Sequence, residues 1–200
     1  MDDKHVAFYA YLFLDGFPLV LYQQRMQQQL KEPRLTHRQR LEAEVIVGAD
    51  SPAARCITIA AHDDSEALLF KFVPDEFGYS IHAVVSGRYN EWRFARAGDS
   101  DQLMIVDKPI RGLRFKLVTS TTNNASLADL EPGPVYVTLI GEDAKSALFK
   151  DVQGETVAFV YSEVNLRSRA GGIRAPTTFV LKRVDGAVAL FKGLISAVLP

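Results

Sequence analysis

The chain has a single cysteine, Cys56, in 200 residues. An internal disulfide is therefore excluded, and nothing in the composition calls for an oxidising compartment. Neither charge dominates: 23 Lys+Arg stand against 24 Asp+Glu, a formal net charge of −1. A dedicated nucleic-acid binder needs a clear basic excess to attract phosphates, so that class is set aside. No apolar run approaches the roughly 20 residues that a membrane-crossing helix requires, so no transmembrane segment is expected. The apolar stretches 6–14 and 17–22 follow two aspartates and are broken by Asp15-Gly16, the wrong flanks for a secretory signal. A cytoplasmic location without classical export is the default expectation.

Local catalytic and cofactor motifs are also missing. His5, His37, His62 and His82 show no paired ligand spacing and Cys56 has no CxxC partner, so no metal or cofactor is expected. Ser86-Gly87 and Ser168 lack a GxSxG frame, and Gly171-Gly172 lacks GxGxxG. Cys56 sits in the apolar run CITIA, which reads as a buried inert thiol. The segment His62-Asp63-Asp64-Ser65-Glu66 places an imidazole beside three carboxylates but fits no ligand template, and it reads as a turn. The chain is expected to be a non-enzymatic protein. The alternative is an enzyme assembled from distant residues, with His62, His82, Asp63 and Glu91 as its participants.

What is present is a large apolar fraction, 48%, in short runs of Val, Ile, Phe and Tyr between Gly, Pro, Asp or Asn clusters. A chain of this length buries roughly 70% of its unfolded surface, enough for a core without disulfides or metal. One soluble globular domain over 1–200 is expected. The pattern is that of many short strands, at 8–14, 18–22, 44–47, 56–60, 69–73, 79–84, 89–94, 102–106, 114–118, 135–140, 147–151, 156–161, 178–183 and 188–191. The segment 23–43 breaks the pattern, with good helix formers around Pro33, and reads as a short helix plus loop or an exposed insertion. Residues 119–134, closed by Pro132-Gly133-Pro134, and 165–176 read as solvated loops. The apolar tail 188–200 reads as a strand closing the barrel, or as a docking segment for a partner chain.

A strand motif recurs as LLFKFVPD (68–75), LRFKLVTS (113–120) and TTFVLKRVD (177–185). Phe70, Phe115 and Phe179 are each followed two positions later by Phe72, Leu117 or Leu181, so both side chains of a pair fall on one strand face. Comparable strings, 78–106 and 133–161, precede the second and third copies, and YLFLDGFPLVLYQQ opens a first. This arrangement resembles a β-trefoil, a pseudo-threefold fold of twelve strands, with lobes at about 1–75, 76–120 and 121–200. A β-sandwich or another closed barrel is the alternative. The resemblance implies a recognition protein, since its relatives include lectins, protease inhibitors and toxin receptor-binding subunits. The Gln-x-Trp motif of ricin-type lectins is absent, the only tryptophan being Trp92, so no ricin-type sugar site is carried over.

The cluster Arg88, Tyr89, Asn90, Glu91 and Arg93 is the candidate ligand site, because aromatic faces stack on sugar C–H surfaces while amides and guanidinium groups bond hydroxyls. Alternation puts Trp92 with Phe94 toward the core and leaves Tyr89, Glu91 and Arg93 outward. The expected partner is a glycan, with a protein surface as the alternative, contacted through a protruding loop at 130–135 or 170–177. Arg25, Lys31, Arg34, Arg38 and Arg40, with Arg167, Arg169 and Arg174, are suited to an anionic partner such as a phospholipid headgroup or a sulfated glycan. Ordinary solvated charge is the plainer expectation for them.

Overall fold

A computed structural model describes residues 6–49, 51–85, 91–107, 112–130, 132–153, 156–164 and 175–184. Its strands are β1 (Phe8–Leu14), β2 (Phe17–Leu21), β3 (Ile57–Ile59), β4 (Leu69–Pro74), β5 (Tyr79–Val84), β6 (Arg93–Arg96), β7 (Leu103–Val106), β8 (Arg114–Val118), β9 (Pro134–Gly141), β10 (Ser146–Gln153), β11 (Thr156–Glu163) and β12 (Thr178–Val184). Two helices, α1 (Tyr22–Gln29) and α2 (His37–Gly48), lie between β2 and β3. The protein is all-β, with one large antiparallel sheet, as the alternation of its sequence implies.

The sheet closes on itself. β1 pairs with β4, β4 with β5, β5 with β8, β8 with β9, β9 with β12 and β12 with β1, a six-stranded ring in which every pairing is antiparallel. The remaining strands form the pairs β2–β3, β6–β7 and β10–β11. These three pairs meet at one end of the ring: Cys56 bridges to Met104, Gln102 bridges to Val160, and the Thr58 hydroxyl donates to the Val157 carbonyl at 2.6 Å. Every ring strand sends two fully buried side chains inward: Ala10 and Leu12, Phe70 and Phe72, Ile81 and Ala83, Phe115 and Leu117, Val137 and Leu139, Phe179 and Leu181. The recurring phenylalanines therefore occupy equivalent places on β4, β8 and β12, one in each run of four strands. Edge-on contacts such as Phe70 to Phe94 (5.3 Å) and Phe94 to Phe115 (6.3 Å) link the ring to the β6–β7 pair.

The β5–β8 junction is built from the β4–β5 turn. Asp75 accepts from the backbone N–H groups of Phe77 and Gly78 at 2.9 and 3.0 Å, and its other oxygen pairs with Arg114 Nε at 2.8 Å. Arg114 also reaches Glu142 at 3.2 Å, so one guanidinium ties β8 to the turns on both sides. Gly78 has φ +152, and a Cβ there would run into the Phe115 carbonyl, so the close approach of the strands needs glycine.

Several expectations are corrected. Residues 44–47 are the last turns of α2 and not a strand: Thr36 caps the helix by accepting from the Gln39 N–H at 3.2 Å, and Gln39 returns the bond to the Thr36 N–H at 3.0 Å. Once nucleated, the helix runs through Val45, Ile46 and Val47 while burying Ala43, so the cap and packing override the β-branched propensity. Of the strand expected at 89–94, residues 89–90 lie outside the described residues, and 91–92 are not strand, because Glu91 takes a left-handed conformation (φ 59) and, with Trp92, folds back onto Ala83 ahead of β6. The loop at 119–134 is not merely solvated. Its Ala125 and Leu130 are buried in the core, Ala125 N–H bonds the Leu117 carbonyl, and Arg183 donates to the Leu130 carbonyl at 3.3 Å. The strand expected at 188–191, the tail 188–200 and most of the loop 165–176 lie outside the described residues.

Candidate functional site

Of the residues expected to contact a ligand, Arg88, Tyr89 and Asn90 lie outside the described residues. Glu91 and Arg93 are exposed, as alternation implies. The Glu91 carboxylate is taken up by Lys71 Nζ at 2.9 Å, a bond that holds the carboxyl below the usual range and raises the ammonium in turn. Trp92 packs against the core on one side and under the Arg55 guanidinium, 5.1 Å from its ring centre, on the other. It is therefore a packing residue.

His82 stands in the same cross-strand row, between Lys71 on β4 and Arg93 on β6. Its Nδ1 donates to the Glu91 carbonyl at 3.1 Å, which fixes the tautomer and leaves Nε2 facing the Ser80 hydroxyl at 3.1 Å. Burial pushes the imidazole pKa down, so the ring is neutral near pH 7. The structure thus brings together two of the four residues named for an assembled enzyme, His82 and Glu91. His62 and Asp63 lie elsewhere, in the exposed β3–β4 turn, where the Ser65 N–H bonds the His62 carbonyl as a turn requires. The Ser80–His82 pair has the spacing of a nucleophile and base, yet it lines neither of the concave sites described below.

Cys56 is buried, and burial pushes its thiol up to about 11, so it is protonated and inert at neutral pH. Among the described residues, no group of three His, Cys, Asp or Glu side chains is placed to hold a metal ion. No helix is long and apolar enough to cross a membrane among the described residues. In the loop expected to protrude at 130–135, Leu130 is instead anchored in the core.

The concave surface lies over the end of the ring where the three strand pairs meet. A pocket of about 320 Å³ is lined by Tyr22, Glu42, Cys56, Thr58, Gln102, Thr156 and neighbours, so it opens on β3, the start of β7 and the start of β11 together. Against it lies a groove of about 650 Å³, walled by α1, the connector 30–36, α2 and the β3–β4 turn. The two share Tyr22, Glu42 and Thr156. Its lining is mixed: Met26, Pro33, Leu35 and Ala61 are apolar, beside the guanidinium groups of Arg25, Arg34 and Arg38, the amides of Gln29 and Gln39, the carboxylates of Glu32 and Glu42, and His62.

The helices are fixed over this end by side chains that reach the backbone. Gln24 Oε1 accepts from the Leu21 N–H at 2.9 Å and starts α1. Gln23 Nε2 donates to the Val47 carbonyl at 3.0 Å, tying α1 to α2, and Arg25 donates to the Ile59 carbonyl at 3.0 Å, tying α1 to β3. Met26 and Ala43 are the buried contacts of the two helices, and α2 leaves Leu41 and Val45 exposed on its outer side. Glu32 faces His62 Nε2 at 3.0 Å and joins the connector to the β3–β4 turn. Burial and the Glu42 carboxylate push the Tyr22 phenol up, so it remains a neutral hydrogen-bonding group.

The residues that line this groove are scattered over 22–42, 61–62 and 156, and in sequence only the basic character of 23–43 and the candidate His62 announced any of them. No family model, curated protein or solved structure matches the chain.

Proposed function

We propose that the chain is a β-trefoil recognition protein that binds carbohydrate, without transforming it, in the groove between its helical insertion and the capped end of its barrel. Support for the trefoil reading comes from the strand arithmetic: three successive runs of four strands, each giving two strands to the six-stranded ring and one pair to the cap. A rigid ring of this kind fixes the position of its insertions, which suits recognition.

The observation that carries the binding reading is the groove itself. It is concave, about 650 Å³, and its lining offers side-chain amides, guanidinium groups, carboxylates and a tyrosine. Planar polar groups of this mixture bond neighbouring sugar hydroxyls, acting as donors and acceptors at once, and the tyrosine ring supplies an apolar face. The pair Glu91–Lys71, by contrast, already satisfies its own charges. Glu91 and Arg93 are accordingly peripheral in this reading.

A glycan-array screen of the labelled protein tests it, with Gln29→Ala and Arg38→Ala as groove variants and Arg93→Ala as the variant of the exposed β6 position. A saturable glycan signal that falls in the groove variants and persists in Arg93→Ala supports the reading. A folded protein that ignores every glycan refutes it, and loss of binding in Arg93→Ala alone moves the site to β6.

A further inference from the structure

We infer that the saccharide taken by the α1–α2 groove is anionic, carrying sulfate or carboxylate groups that Arg34 and Arg38 grip; this rests on the carbohydrate reading above. Three guanidinium groups from three successive parts of the insertion line one cavity: Arg25 from α1, Arg34 from the connector and Arg38 from the first turn of α2. Arg25 is fixed by its bond to the Ile59 carbonyl. Among the described residues Arg34 and Arg38 take part in no ion pair, although two carboxylates line the same groove. Glu32 is directed at His62, and Glu42 lies beside Tyr22 where the groove meets the smaller pocket.

Two unengaged guanidinium groups thus face a cavity in which no carboxylate answers them. Guanidinium presents paired N–H donors that match the oxygens of a sulfate or carboxylate. The start of α2 points the same way. Its first turn holds His37, Arg38 and Arg40 and no acidic residue, although a helix N-terminus is already the positive end of its dipole. A bound anion relieves that accumulation of like charge.

The test uses the full chain and isothermal titration with a sulfated hexasaccharide, its chemically desulfated counterpart and inorganic sulfate, each at low and high salt. The sulfated hexasaccharide is expected to bind at least about tenfold tighter than the desulfated one, the scale of one charge-assisted contact. Its affinity is expected to fall as salt rises. Arg34→Gln with Arg38→Gln is expected to lose about tenfold to hundredfold in affinity, whereas Arg93→Gln with Lys182→Gln, an equal loss of charge at exposed positions outside the lining, is expected to lose little. Circular dichroism confirms that both double variants are folded.

Equal affinity for the sulfated and desulfated sugars overturns this inference while leaving carbohydrate binding intact. Inorganic sulfate matching the hexasaccharide mole for mole, or no binding by either sugar, removes the saccharide reading as well. An equal loss in the two double variants shows bulk attraction only, and removes the groove from the account.

Discussion

Replacing Phe115 with alanine probes the junction on which ring closure depends. Phe115 is fully buried on β8, at the register position opposite Tyr79 of β5 and Gly141 of β9. Its ring meets Phe94 and Tyr161 edge-on, at 6.3 and 5.8 Å between centroids with interplanar angles of 87° and 88°. Truncation loses the transfer energy of the ring, its edge contacts included, and leaves a cavity, about 3–5 kcal/mol together, so Phe115→Ala is expected to cost about 4 kcal/mol. Against a total stability of roughly 5–15 kcal/mol that is a large fraction. For a chain of this length it lowers the melting temperature by about 8–16 °C. Urea unfolding followed by far-ultraviolet circular dichroism measures it, with an unchanged slope showing that the unfolded reference is the same. Phe77, 46% exposed with its ring 5.6 Å from the Arg114 guanidinium, is the control. Phe77→Ala is expected to cost below about 1 kcal/mol. A loss in Phe115→Ala no larger than in Phe77→Ala refutes the closed ring.

Further consequences follow from the same packing. Gly78→Ala combines a conformation that side chains rarely adopt with a collision against the Phe115 carbonyl, so it is expected to destabilise by about 2–4 kcal/mol, whereas Gly16→Ala meets open space and costs only its left-handed φ. Cys56, its thiol pushed up to about 11 by burial, is expected to react with a disulfide reagent at pH 8 roughly 100-fold more slowly than an ordinary thiol. Rapid labelling of the native protein contradicts the buried placement. His82 has a folded pKa lowered by burial, so the unfolded chain takes up its proton first. The stability owed to neutral His82 is complete above its unfolded value of about 6.5 and is lost as pH falls from there toward the folded value, so His82→Gln flattens the pH dependence of stability below about 6.5. Glu91, whose carboxyl is lowered by Lys71, contributes in a more acidic window and loses its share as pH falls below the ordinary carboxylate range.

The all-β class was legible because period-two alternation is a local signal. FYAYLFL alternates buried and half-buried positions along β1, and the Phe-x-Phe or Phe-x-Leu pairs marked β4, β8 and β12. The misreading at 44–47 came from three β-branched and apolar residues read apart from their neighbours; the capping pair Thr36 and Gln39, eight residues upstream, decides their conformation. Glu91 carries no sequence sign of its left-handed turn, since its conformation is set by bonds to Ala83 across the sheet. The buried face of 119–134 did leave a trace: Ser126 and Asp129 bond each other as a short cap, and Ala125 and Leu130 are the apolar residues that flank it. The groove left the least, because Tyr22, Arg38, His62 and Thr156 meet only after β3 and β11 are brought together by the cap. The basic residues of 23–43 were visible, but their gathering around one groove depends on how Gln23 and Arg25 pin the helices.

Amide hydrogen exchange of the whole protein, with and without a sulfated hexasaccharide, reads whether the proposed recognition surface lies on the helical insertion. Added protection is expected in 22–48 and in the β3–β4 turn around His62, with the hairpin at 91–106 unchanged. Protection centred on 91–106, or no change at saturating hexasaccharide, contradicts that placement.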